Sequence, residues 1–146
     1  VVTLRAPDWA FDPDELRAAF TTKTKALLLN TPHNPTGKVF TRGELALIAE
    51  LCCEHDVVAI TDEVYEHLVF DGAAHHSVLQ HPVLRGRSFA HYSFGKTFSV
   101  TGWKTGYCVA PPALTAELRK VHQFVAFVAV SPVQHAIAAL TASQRV

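Results

Sequence analysis

The 146-residue chain contains no methionine, and its three cysteines, Cys52, Cys53 and Cys108, are odd in number and lack a CxxC spacing. That pattern suggests neither a disulfide framework nor a zinc site, so buried thiols are expected. An excess of charge is missing as well. Thirteen basic and thirteen acidic side chains cancel, and no broad field points to nucleic acid or an anionic membrane surface. The expected partners are small molecules. Apolar runs stay well below the roughly 20 residues that a membrane helix needs, and the first twelve residues lack the basic start of a signal peptide. A cytoplasmic setting without a membrane partner is expected. Histidine is plentiful, at nine, yet His75-His76 is an adjacent pair and no HExxH-type spacing exists, so no metal is expected. Without methionine the chain does not begin at its own initiator, and Val1-Val2-Thr3-Leu4 reads as a strand already under way. A fragment of a longer protein is the expectation.

What is present is enough for one domain-sized core: 49% hydrophobic and 18% charged residues. Capping chemistry marks three helix starts, in which a short polar side chain accepts from exposed backbone N–H groups. These are Asp12-Pro13-Asp14-Glu15, Thr41-Arg42-Gly43-Glu44 and Ser131-Pro132-Val133-Gln134. Apolar runs at residues 26–29, 57–61, 88–92 and 107–110 are short enough for buried strands. Residues 114–130 predict a further helix, with Leu114, Leu118, Val121 and Val125 on one packing face. Residues 71–87, with Gly72, Pro82 and Gly86, read as a surface excursion with short irregular elements. Strands alternating with helices predict an α/β domain with a largely parallel sheet, whose ligands bind at the carboxyl ends of the strands.

Polar residues directly after the strands are therefore the suspects. After the first comes Asn30-Thr31-Pro32-His33-Asn34-Pro35-Thr36-Gly37, a turn-former that is either a rigid loop or a loop presenting Asn34 to a ligand oxygen. His33 either approaches that ligand or stiffens the loop. After the second comes Asp62-Glu63-Val64-Tyr65, where a half-buried carboxylate needs a partner: a cation, a protonated ligand nitrogen, backbone amides or an ion pair. After the third comes Ser93-Phe94-Gly95-Lys96-Thr97, with Gly102-Trp103-Lys104 beyond it.

Gly95-Lys96-Thr97 resembles the end of a phosphate-binding P-loop, but the required glycine is replaced by Ala90 and the acidic strand comes first instead of second. The alternative is that Lys96 forms a Schiff base with a carbonyl. Ser93 and Lys104 would then bind a phosphate, Asp62 would hold a pyridine nitrogen protonated, and Tyr65 and Asn34 would hydrogen-bond a phenolic oxygen. Pyridoxal phosphate carries all of those groups.

The ordered set Asn34-Pro35-Thr36-Gly37, Asp62-Glu63-Val64-Tyr65, Ser93-Phe94-Gly95-Lys96-Thr97 and Gly102-Trp103-Lys104 resembles the class I/II aminotransferases of PLP fold type I. The gaps of 28 residues from Asn34 to Asp62 and 34 from Asp62 to Lys96 resemble those of the family. The resemblance implies a three-layer α/β/α fold with a mostly parallel sheet, residues 1–146 being part of the large PLP-binding domain with upstream and C-terminal parts absent. It implies pyridoxal 5′-phosphate as cofactor, Lys96 as the catalytic lysine linked to it, and Asn34, Asp62, Tyr65, Ser93 and Lys104 as cofactor-binding residues. Many relatives carry arginine where Lys104 stands, and lysine resembles the kynurenine, glutamine and methionine aminotransferase branch. A cis peptide at Asn34-Pro35, a homodimer for the full-length protein, and an amino acid with a 2-oxo acid as substrates are implied in the same way.

The substrate-carboxylate arginine of the family finds no counterpart: Arg85, Arg87, Arg119 and Arg145 are expected at the surface or at the fragment end. Trp103 is expected to pack beneath the phosphate loop. The branch implies methionine or an aromatic amino acid as donor. Its alternatives are N-succinyldiaminopimelate aminotransferase, a kynurenine aminotransferase with cysteine-S-conjugate β-lyase activity, or the PLP-binding sensor domain of a transcription regulator. The isolated 146 residues are expected to be inactive.

Overall fold

A computed structural model describes residues 1–143. The first two expected helix starts follow the capping chemistry, while the third expected helix begins at Ser131 itself. Asp12 accepts from the backbone N–H groups of Asp14 at 2.8 Å and Glu15 at 3.4 Å, opening α1 (Pro13–Ala19). Thr41 Oγ1 accepts from Glu44 N–H at 3.2 Å while the Glu44 carboxylate accepts from Thr41 N–H at 2.8 Å, a full capping box for α2 (Arg42–Glu54).

Four strands form one sheet in sequence order: β1 (Ala26–Asn30), β2 (Val58–Asp62), β3 (Ser88–Ser93) and β4 (Gly106–Val109). β1, β2 and β3 run parallel; β4 pairs antiparallel with β3. The mixed α/β fold with a mostly parallel sheet is as expected. Because side chains alternate across a strand, Leu29, Ala59, Thr61, Ala90 and Tyr92 enter the core with Leu45, Ile48 and Cys52 of α2. The other parity carries Asn30, Asp62 and His91 in one register row, with Leu28 two residues back and 76% exposed.

The remaining elements are α3 (Pro82–Arg85), α4 (Phe94–Thr97), α5 (Pro112–Val125), α6 (Ser131–Ser143), and short 3₁₀ turns at Val78–Gln80 and Thr101–Trp103.

Several expectations are corrected. Val1 to Leu4 form no strand; an isolated bridge joins Arg5 to Ala10 instead. The helix read over residues 114–130 spans Pro112–Val125, and of its supposed packing face Val121 is 61% and Val125 79% exposed. Amphipathic spacing locates an apolar stripe but not what covers it. Residues 71–87 are more than a surface excursion, since Val78 and Leu84 are fully buried there and join the core. Of the three thiols only Cys52 is buried; Cys53 is exposed and Cys108 half-buried.

Candidate active site

The end of β1 is held by Asn30, whose side-chain amide donates to the carbonyls of Asp62 at 3.0 Å and Pro32 at 3.2 Å. Its own side-chain oxygen accepts from Asn34 N–H at 2.7 Å. The N–H of buried Thr31 also donates to the Asp62 carbonyl, at 3.0 Å. One turn is thereby stitched to the neighbouring strand end. The peptides Thr31–Pro32 and Asn34–Pro35 are both cis, the second as expected. His33 Nδ1 meets Thr36 Oγ1 at 2.8 Å, which is the loop-stiffening role.

The Asp62 side chain leaves the end of β2 half-buried, and its Oδ1 accepts from Val64 N–H at 3.2 Å. Among the described residues its Oδ2 takes no hydrogen bond and no cation pairs with it. His91 lies in the same register row; its Nδ1–H donates to the Thr61 carbonyl at 3.1 Å, which fixes the tautomer. The turn after Asp62 brings Tyr65 round, and its hydroxyl comes to 3.5 Å from the Asn34 side-chain amide.

Lys96 sits in α4, the single turn that follows β3 directly. It is half-buried, its Nζ lies 5.5 Å from the centroid of the Tyr65 ring, and it pairs with no carboxylate among the described residues. α4 is fixed through the Gly95 carbonyl, which accepts from Val100 N–H at 2.9 Å and Thr101 Oγ1 at 3.2 Å. A side chain at Gly95 would come within 3.0 Å of Thr101 Cα and 3.1 Å of Ser93 Oγ, so its glycine leaves the Ser93 hydroxyl uncovered. Lys104 is exposed and has left-handed backbone dihedrals, φ 52° and ψ 40°.

Of the six expected site residues, the structure brings Asn34, Tyr65 and Lys96 into direct succession, with Asp62 at the neighbouring strand end. Ser93 begins the segment that carries Lys96, and Lys104 ends the turn that closes it. Trp103 is 38% exposed and so is not packed beneath that turn. Arg85 and Arg119 are exposed, as expected; Arg87 instead reaches inward, donating to the carbonyls of Cys52 at 2.7 Å and Val57 at 3.3 Å. Arg145 lies outside the described residues. Asn30, which ties the loop to the end of β2, is a participant that sequence reasoning missed. A polar residue closing an apolar strand was the available signal for Asn30.

The model of the family "Aminotransferase class I and II" matches residues 1–146. The chain belongs to this family. Kynurenine–oxoglutarate transaminase 3 of Rattus norvegicus is 50% identical over 131 residues, which are 90% of this chain and 29% of that protein. The solved structure of a methionine aminotransferase from Escherichia coli superposes with a TM-score of 0.90 at 44% identity, covering 94% of this chain and 36% of that one. N-succinyldiaminopimelate aminotransferase from Mycobacterium tuberculosis gives 0.91 at 42% identity, covering 96% and 37%. The chain thus spans about a third of the length of these relatives. The aminotransferases of this family use pyridoxal phosphate.

Proposed function

We propose that these 146 residues are the lysine-bearing part of the large domain of a pyridoxal-phosphate-dependent aminotransferase, with methionine or an aromatic amino acid as amino donor and a 2-oxo acid as acceptor. The convergence of Lys96, Tyr65 and Asn34 at the carboxyl ends of parallel strands carries this reading. The donor set suits the cofactor. Among the described residues it offers an amine without a carboxylate partner, a carboxylate with an unengaged oxygen, a phenol beside an amide, and a hydroxyl kept open by Gly95.

Bound pyridoxal phosphate supplies an aldehyde that condenses with amines and a ring that draws electrons from the donor's Cα. Lys96 would hold the cofactor through Nζ and, once the donor's amine has replaced it there, would serve as the free amine that carries the donor's Cα proton to the cofactor's aldehyde carbon. Asp62, its backbone pinned by Asn30 and Thr31, holds a proton on the ring nitrogen. Tyr65 Oη and Asn34 Nδ2 hydrogen-bond the ring oxygen. Ser93 Oγ and Lys104 Nζ hold the phosphate, Lys104 as a point charge without the bidentate fork of arginine.

The branch rests on similarity to a methionine aminotransferase and a kynurenine transaminase. Similarity to an N-succinyldiaminopimelate aminotransferase supports that donor as the alternative. A homodimer belongs to the same proposal, supported by the apolar side chains of Phe124, Phe127 and Val128, all exposed beyond one half.

The test is a donor and acceptor screen on the complete protein, following conversion of the aldehyde cofactor to its amine form. Turnover with methionine or an aromatic donor, abolished in Lys96→Ala, is expected. Inertness toward every amino acid would favour a cofactor sensor, and full transamination by Lys96→Ala would overturn the assignment. Robust turnover by the 146 residues alone would overturn the claim that they are part of a longer enzyme.

A further inference from the structure

Directly after Asp62, Glu63 is 0% exposed and its carboxylate is satisfied on all sides. One oxygen accepts from Thr61 Oγ1 at 3.1 Å and Val78 N–H at 3.2 Å. The other accepts from His75 Nε2 at 2.8 Å and Tyr92 Oη at 3.3 Å. Tyr92 Oη also meets Ser77 Oγ at 2.9 Å. A buried carboxylate is costly unless its lone pairs are met, and removing one partner leaves the others unpaired. The network therefore behaves as a unit. Burial in the first place raises the Tyr92 hydroxyl pKa; the Ser77 hydrogen bond lowers it, and the Glu63 charge raises it further, so the phenol stays a donor.

The network reaches both halves of the site. Through its main chain Glu63 adjoins Asp62, and Glu63 N–H donates to the His91 carbonyl at 2.9 Å, extending the β2–β3 ladder past Asp62. Through Tyr92 it reaches α4: the Tyr92 ring stacks on Tyr107 at 4.9 Å, and Phe94, the first residue of α4, packs on Tyr107 at 5.0 Å. Lys96 follows Phe94 by two residues. None of Glu63, His75, Tyr92 or Tyr107 has a role in the proposed chemistry.

The geometry points to Glu63 as a positioning residue: with Tyr92 it sets the placement of the Lys96 turn against Asp62, through the Tyr92–Tyr107–Phe94 stack. This rests on the proposed roles of Lys96 and Asp62. Glu63→Gln keeps the shape and one acceptor, but presents an amide to His75 and Tyr92 where both now donate. Tyr92 must turn its hydroxyl, and the stack loses its fixed end.

The experiment compares wild type, Glu63→Gln and Tyr92→Phe in the complete protein. In cofactor-free protein, acylation of Lys96 by an amine-reactive reagent, followed by mass spectrometry against exposed Lys23 as reference, should rise about threefold or more in Glu63→Gln as the half-buried turn loosens. With cofactor, kcat should fall about tenfold with donor KM within about twofold. A lowered melting temperature with an unchanged Lys96-to-Lys23 labelling ratio would reduce Glu63 to a structural role and overturn the inference. Should Glu63→Gln not fold, Tyr92→Phe, which keeps the stack and deletes the hydroxyl's bonds to Glu63 and Ser77 while leaving the carboxylate its other three donors, must show a smaller rise in the same direction, and an unchanged ratio there overturns it equally. Wild-type protein that forms no Lys96-linked cofactor absorbance would overturn the aminotransferase reading, while the labelling comparison still decides the role of Glu63.

Discussion

Lys96 Nζ stands over the Tyr65 ring at 5.5 Å from its centroid, and the hydroxyl of that ring faces Asn34. Two contributions of Tyr65 can be separated here. A cation over a phenol face contributes about 0.5–1 kcal/mol at an exposed site, and phenylalanine retains most of it. The hydroxyl, which meets the Asn34 amide at 3.5 Å, is the part that the proposed contact with the cofactor's ring oxygen requires.

Tyr65→Phe should therefore weaken cofactor binding roughly tenfold, the scale of one lost hydrogen bond, while the cofactor-free protein keeps its stability within about 0.5 kcal/mol. Equilibrium dialysis against pyridoxal phosphate, with a urea titration of the cofactor-free protein, reads both. Unchanged cofactor affinity would remove Tyr65 from the ring oxygen.

Two glycines of the segment beyond Lys96 separate on steric grounds. A Cβ on Gly106 would lie 2.3 Å from the Tyr92 carbonyl oxygen, whereas one on Gly102 meets nothing within 4 Å. Backbone cannot rotate aside as a side chain can, so Gly106→Ala must pry β4 from β3. A loss of about 1–3 kcal/mol is expected, against about 0.5 or less for Gly102→Ala. Equal urea midpoints for the two variants would contradict the β3–β4 pairing. Because Ser93 pairs with Gly106, Gly106→Ala should also lower cofactor affinity.

The legible parts of this molecule are those encoded locally. Asp12 and Thr41 announce their helices because a cap and its N–H partners lie within three residues. Asn34, Asp62 and Lys96 stand out because each lies at or just after the carboxyl end of an apolar strand. Glu63 was invisible for the opposite reason: His75, Val78 and Tyr92 lie 12, 15 and 29 residues away, and no periodicity records that pairing. The direction of β4 was hidden as well. A short apolar run is the same in either direction, and only the connection through α4 and a 3₁₀ turn decides it. The exposed stripe of α5 shows the limit from the other side, since an apolar face does not name its cover.

Cys52 and Cys53 are adjacent in α2, yet one is fully buried and the other exposed. Burial pushes the Cys52 thiol up to about 11, with the Arg87 guanidinium only partly offsetting it. The reactive species is the thiolate, so at pH 8 iodoacetamide should modify Cys53 at least about a hundredfold faster, Cys52 reacting only on unfolding. The same shift has a stability consequence of definite sign. The folded state holds the Cys52 proton more tightly than the unfolded chain does, so this contribution is complete below the ordinary thiol value of 9.0 and is lost as pH rises towards about 11. Cys108, Tyr92 and Tyr107 are raised by burial as well and add to any alkaline loss, so wild type alone cannot isolate Cys52. The comparison that does is Cys52→Ala: its urea midpoint should start lower at pH 8 and fall less steeply through this window. Parallel curves for the two proteins would mean that the Cys52 proton is held no more tightly in the folded state.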